Sequence, residues 1–413
     1  MRIVYVSAVN EKCRVSGKRL IEVIDFGEQP LGNGFLKQEQ FGEEYFFNMR
    51  VGFCEESGLL QLFDQPSPEA MFHEEYAFFS STSTEMSKHF KSWAKSVATS
   101  SDTKNPLVIE IGCNDGIFLE NFVNTNIRTI GIEPSENVAN IAKSKGVMVE
   151  NSFMNIPLAE ALLSEHGSAD YITAANVICH IPNILELAKC IDILLSDNGK
   201  FIFEEPYLGD IIQKCAYDQI YDEHVFLFSC ISVKNLFNKL DLELIDAQPQ
   251  VTHGGSMRYT IGRKGFNDVS DNAKKILENE YSMGLNKIES MLRLSENIKQ
   301  SKNKLVEILE NLKSGGSQVC GYAATSKSTT ILNYCNIGPD LIQCIYDTTP
   351  LKQGKFSPGM HIPITDWKEF NLNMPDYTFL FAWNHLKEIM AKERAYTSQG
   401  RKWITHIPTV QIS

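Results

Sequence analysis

An alternation of short apolar runs with helical stretches, met twice along the chain, constrains the fold more than any other feature. Between about Ser83 and Met283 the runs "LVIEIG", "TIGIEP", "YITAANV" and "KFIFEEP" are bounded by turn residues and separated by amphipathic segments. Strands that alternate with helices give a parallel sheet flanked by helices. A long amphipathic helix follows, roughly Leu285 to Leu312, and ends at Ser314-Gly315-Gly316. After it "QVCGYAA", "LIQCIYD", "HIPIT" and "YTFLFAW" open a second, smaller series of the same kind. Up to about Thr82 the chain instead reads as strands and turns, punctuated in "DFGEQPLGNGFL". The pattern predicts an α/β protein of three parts. These are a small N-terminal domain over 1–82, a central Rossmann-like domain over 83–283 and a second Rossmann-like domain over 284–413.

At 413 residues the chain is too long for one ordinary core, which agrees with that division. Its net charge of −12 argues against a nucleic-acid binder, because phosphate backbones need a basic face. It does not exclude an anionic small molecule, which needs only a helix N-terminus and one or two cations. No apolar run is long enough to span a bilayer, and "MRIVYVSAVNEK" lacks the apolar core of a signal peptide. The ten cysteines are scattered, several of them in apolar segments (Cys113, Cys179, Cys320), so a reduced, cytoplasmic setting is expected.

The first chemical signal is "LVIEIGCNDGIFLENF", an apolar strand ending in Glu110, then Gly112, Asn114 and Gly116, then an expected helix. The glycines let the backbone turn tightly and a ligand approach closely. A dinucleotide turn would need G-x-G-x-x-G with a pyrophosphate on the helix. Here Asn114 takes the second glycine position and Asp115 stands beside it, which repels a pyrophosphate and suits an ammonium and hydroxyls. "GIEPS" puts Glu133 and Pro134 at the next strand end, where a carboxylate can accept both ribose hydroxyls. "ENSF" brings Asn151, Ser152 and Phe153 to where an adenine can be met. S-adenosylmethionine fits these demands better than NAD.

Further polar groups fall at later strand ends. "AANVICHIPN" places Asn176 and His180 at a carboxyl edge, and "FIFEEPYLGD" places Glu204, Glu205 and Tyr207 at another. "YDEHVFLFS" sets Tyr221, Glu223 and His224 against an aromatic run, as either a turn into a core strand or a proton-transfer site. "THGGSMRYT" offers His253, Gly255 and Arg258, with a plain hairpin as the simpler reading. In "GYAATSKSTTILNY" the residues Ser326, Lys327, Ser328 and Thr329 open a helix, as a cap or as a seat for a diphosphate.

Taken together, "EIGCNDGIFL", "ANVICHIP", "FEEPYLGDII", "DQIYDEHVFLFS", "HGGSMRYT", "GYAATSKSTTILNYCNIGPDL", "DTTPLKQGKFSPGMHIPI" and "FLFAWNHLKEIMAKE" resemble the nucleotide-sugar C-3-methyltransferases through nearly the whole chain. The resemblance implies a class I methyltransferase domain in the centre. It also implies S-adenosylmethionine as cofactor, and a nucleotide-diphospho-4-keto-6-deoxy sugar as substrate in deoxysugar biosynthesis. The C-terminal domain would hold that sugar, with Lys352 and His385 joining the residues above. The family's catalytic cluster matches Tyr76, His180, Tyr221, Glu223 and His224. The implied chemistry is removal of the C3 hydrogen beside a C4 ketone. His224 is expected to act as base, oriented by Glu223, with Tyr221 or His180 on the enolate oxygen and Tyr76 closing the pocket. O- or N-methylation of a nucleotide sugar, and an epimerase or oxidoreductase, stand as alternatives.

One departure concerns metal. The family's zinc site uses two C-x-x-C pairs. Here they read "CRVS" and "CEES", so Cys13 and Cys54 stand with Ser16 and Ser57, and no zinc is expected.

Overall fold

The structure is a computed structural model that describes residues 11–67, 71, 80–82, 84–100 and 103–413. Three sheets carry it. The first is antiparallel, β1 (Ile21–Pro30), β2 (Phe46–Cys54) and β3 (Leu59–Leu62), and its fourth strand is β9 (Phe226–Leu227), contributed from far along the chain.

The central sheet has seven strands: β4 (Leu107–Ile111), β5 (Arg128–Ile132), β6 (Val149–Glu150), β7 (Ala169–Ala175), β8 (Leu195–Pro206), β10 (Leu242–Gln250) and β11 (Ser256–Arg263). Their order is β10-β11-β8-β7-β4-β5-β6; β4 to β8 run parallel, and β11 is antiparallel to both of its neighbours. Every residue of β4 is buried, as a strand covered on both faces requires. The third sheet is β12 (Val319–Tyr322), β13 (Ile345–Asp347), β14 (Ile364–Asp366), β15 (Tyr377–Leu380), β16 (Lys402–Thr405) and β17 (Gln411–Ile412), ordered β14-β13-β12-β15-β16-β17 and parallel except at β17. Both Rossmann-like sheets are present.

Two local expectations change. No α-helix follows β4; the segment makes a single tight turn, Leu119–Phe122. Ile117, Phe118, Leu119 and Phe122 are all buried, and the Asn121 amide bonds the carbonyls of Ile117 and Phe118 in place of a helical ladder. The long helix spans Ile288–Ser314, starting later than its apolar pattern, because Gly284 turns the chain at φ +69° after Ser282. Met291, Leu294, Ile298, Leu305 and Leu309 form its buried stripe. They share one core with Phe47, Met49 and Val51 of β2 and with Ile331 and Leu332 of the third unit. Burying each such side chain contributes about 1.5–3 kcal/mol, so this helix ties the first sheet to the third.

Candidate active site

In an open α/β sheet, ligands bind beyond the carboxyl ends of the strands where the strand order reverses. That reversal falls between β4 and β7 in the central sheet and between β12 and β15 in the third. The residues just past those four strands, Gly112 and Asn114, Asn176 and Val177, Thr325 to Lys327, and Ala382 to Asn384, line one shared cleft of about 1790 Å³. A single small-molecule pocket runs to roughly 300–1000 Å³, so this cleft has room for two ligands side by side.

On the central-sheet wall Gly112 turns at φ +71°, and a Cβ there would collide with Val177 Cγ2. Glu133 is held rigidly: its two oxygens accept the N–H groups of Asn114 at 3.0 Å and Ser135 at 2.9 Å. Burial raises its pKa against those bonds. Pro134, Ser152 and Phe153 continue the wall, with Phe153 39% exposed as an open aromatic face. Four expected residues lie elsewhere. Glu110 is buried behind the turn, and its carboxyl is pushed well up, by burial first and then by Glu133 and Asp115. Asp115 accepts the backbone N–H and hydroxyl of Ser81, so it anchors the turn Ser80–Thr82 and does not line the cleft. Gly116 packs on Ala142 and Val147, and the Asn151 amide bonds the carbonyls of Glu133 and Pro134.

The tight turn before β9 brings together His180, Tyr221 and His224. The rings of His180 and His224 lie 5.4 Å apart at 22°, and Tyr221 lies 4.0 Å from His224. His224 Nδ1 is 2.7 Å from the carbonyl oxygen of Gln219, which can only accept, so Nδ1 carries the proton. Nε2 therefore keeps its lone pair and accepts the Tyr221 hydroxyl at 2.7 Å. Burial and the neighbouring His180 hold His224 neutral, well below the ordinary histidine range. Burial likewise pushes His180 down to about 3. The orienting group is thus the Gln219 carbonyl, whereas Glu223, expected in that role, accepts the Asn33 amide at 2.8 Å. Tyr76 lies outside the described residues.

Glu205, which the sequence placed at a strand end without assigning it a role, builds the turn that carries His180. Its Oε1 accepts the N–H groups of Val177, Ile178 and Cys179 at 3.1, 2.7 and 3.2 Å. Asn114, Asn176 and His253 all adopt left-handed φ on the cleft wall, at 48°, 53° and 54°, a clustering typical of functional sites.

On the opposite wall Ser326, Lys327, Lys352 and His385 line the cleft, with His253 and Gly255 from the central unit. Lys327 and Lys352 are half-buried in the cleft wall; desolvation lowers both ammonium groups against the pull of Asp218 and Asp347, and neither makes an ion pair among the described residues. Lys327 reaches the His253 carbonyl at 3.5 Å, and Lys352 the Ala324 carbonyl at 2.7 Å. Trp383 completes this wall, its indole N–H donating to buried Asp218 at 2.6 Å.

Four expected substrate residues are used structurally instead. Arg258 pairs with Glu204, which His89 also binds at 2.7 Å. Tyr207 is largely buried, with Glu280 nearby, and does not line the cleft. Ser328 closes the capping box with Thr325, and Thr329 bonds the Gly32 carbonyl.

Comparison with known proteins places this geometry. Residues 13–72 match a putative zinc binding domain, 86–247 a methyltransferase domain, and 251–408 the C-methyltransferase C-terminal domain. C-methyltransferase NovU of Streptomyces niveus is 29% identical over 406 residues, covering 97% of this chain and 96% of that protein. The chain is thus similar to a C-methyltransferase over nearly its whole length, and its central and C-terminal parts match methyltransferase models.

The magnesium protoporphyrin IX methyltransferase of Synechocystis PCC 6803, solved with bound SAM, overlaps 43% of this chain and 79% of its own (13% identity, TM-score 0.33). A SAM-dependent methyltransferase of Anabaena variabilis overlaps 39% and 79% (18% identity, TM-score 0.32). The wall around Gly112 and Glu133 fits S-adenosylmethionine. It offers a fixed carboxylate, an exposed aromatic face, and a buried Asn176 Oδ1 with no partner among the described residues.

The segment that matches the zinc binding domain does not fit zinc. Cys13 meets Ser57 and Ser16 meets Cys54, each at 3.2 Å, so the four side chains converge as ligands would. Two of them are hydroxyls, which stay protonated and bind zinc poorly. Moreover, the Gln61 amide donates to Cys13 Sγ at 3.2 Å and occupies a sulfur lone pair.

Proposed function

We propose that this chain methylates C3 of a nucleotide-linked 4-keto-6-deoxyhexose through an enolate, in branched deoxysugar biosynthesis. The observation that carries the reading is His224, a neutral imidazole with its lone pair on Nε2, at the junction of the two strand-end walls. A ketone at C4 acidifies the C3 hydrogen. His224 Nε2 takes that proton, the C3–H bonding pair becomes the C3–C4 π bond, and the carbonyl π pair moves onto O4. To accept the proton, Nε2 must part from the Tyr221 hydroxyl, which leaves that hydroxyl able to donate to O4. One displacement thus exposes the base and supplies the oxyanion donor. S-adenosylmethionine, when bound, supplies a methyl group made electrophilic by its sulfonium, and C3 is the acceptor. Lys327 and Lys352, half-buried in the cleft wall and in no ion pair among the described residues, favour a diphosphate between the nucleotide and the sugar.

The test offers thymidine- and guanosine-diphosphate-linked 4-keto-6-deoxyhexoses, with their 4-hydroxy counterparts as controls. In heavy water without donor, the enzyme is expected to exchange the C3 hydrogen of a keto sugar. With donor it is expected to form a C3-methyl product from keto sugars alone. Methylation of a 4-hydroxy sugar on oxygen would overturn the reading.

A further inference from the structure

The catalytic turn also receives a side chain from the N-terminal part of the chain. Asn33 lies in the loop after β1, and both Asn33 and Glu223 line the cleft. Its Nδ2 donates to Glu223 Oε1 at 2.8 Å. The loop is seated firmly. The Gly32 N–H donates to Asp222 Oδ1 at 3.0 Å, and its carbonyl accepts the Thr329 hydroxyl at 2.8 Å. A Cβ on Gly32 would fall 2.7 Å from Asp222 Oδ1 and 3.0 Å from Ser326 Cβ, so only glycine lets the backbone pass between the turn and the helix Ser326–Tyr334.

Glu223 needs such a partner. It is buried next to Asp222, and burial first, then the charge of Asp222, drive its carboxyl toward the protonated form. An amide donor opposes both effects and engages one named oxygen, which fixes the orientation of a carboxyl that lines the cleft.

We propose that Asn33 is a positioning residue for methyl transfer, fixing the Glu223 carboxyl at the face of the sugar site. The proposal rests on the reading of this cleft as a keto-sugar methylation site. It also gives the N-terminal sheet a part in the chemistry.

The test compares the full-length wild type with Asn33→Ala, Asn33→Asp, Glu223→Gln and the double variant Asn33→Ala/Glu223→Gln on the keto sugar that the wild type turns over. A hydrogen bond to an ionisable acid predicts that Asn33→Ala lowers kcat by about 10- to 100-fold, with the KM for S-adenosylmethionine unchanged. Asn33→Asp, equal in size but bringing a second acid, is expected to lose as much, and it is the variant read should the alanine fail to fold. In the Glu223→Gln background the alanine is expected to cost far less than in the wild type. An unchanged kcat in both Asn33 variants, or the same loss in both backgrounds, would overturn the proposal alone. A wild type inactive on every keto sugar would overturn the functional reading and the proposal with it.

Discussion

His224 has both ring nitrogens assigned by their neighbours, which makes its role open to a direct test. Replacement by Asn is expected to lower turnover roughly 10²- to 10⁴-fold while calorimetry shows S-adenosylmethionine still bound. Near-normal turnover would place the base elsewhere. Because burial depresses this imidazole, protonation that would silence it begins only well below the ordinary value of 6.5. The acid limb of the kcat profile is therefore expected below pH 6.5. His180 was legible in the sequence because it stands beyond the end of an apolar run, and Tyr221 and His224 because they gather polar groups just before one. Glu205 was legible only as a strand-end carboxylate with no role, and Asn33 not at all, because its partner lies 190 positions away. Conversely, Arg258, Ser328 and Thr329 have the right chemistry for a ligand, but a sequence cannot show that Glu204, Thr325 and Gly32 already engage them.

Among elements, the strands were the most legible, since a buried parallel strand must be apolar on both faces. The segment after β4 failed because its apolar residues satisfy a helix on paper, while their complete burial and the Asn121 amide favour a tight turn. The absence of a helix N-terminus there leaves the Gly112 turn without the dipole that draws a pyrophosphate, in keeping with a phosphate-free donor. The Cys13, Ser16, Cys54 and Ser57 cluster makes its own prediction. Purified protein is expected to hold zinc well below one ion per chain. Ser16→Cys with Ser57→Cys restores four thiolates at positions already converged, so this variant is expected to bind zinc and gain melting temperature with it. Stoichiometric zinc in the wild type, or none in the double variant, would refute the account.

At the scale of the molecule, buried ionisable groups set how stability responds to pH. His180, His224 and His253 stay neutral in the fold, the last pushed down to about 4 by burial and by Lys327. The unfolded chain protonates them below about 6.5, so the stability they contribute is present above that value and lost as pH falls. Glu205, Asp222 and Glu223 behave oppositely. Burial raises all three, Glu205 to about 7, so the folded chain keeps protons that the unfolded chain releases. Their contribution is present at low pH and lost as pH rises through neutrality. Above pH 6.5 these histidines no longer contribute while the three acids still do, and they are expected to pull the calorimetric melting temperature down from there to pH 8. Glu223→Gln is expected to make that decline shallower; an unchanged slope would show that Glu223 ionises freely.

The strand β9 has a consequence for how such a chain can be divided. It begins two residues after His224 and completes the first sheet beside β3, pairing Leu227 with Leu60. A fragment cut to begin at the donor-binding unit would keep every residue of the Gly112 wall, yet it would bare β9 along one edge and unmoor the histidine turn behind it. The front of the chain is therefore a fixed jaw of the enzyme, and removing it would leave a protein able to hold a methyl donor with nothing properly placed to receive the methyl.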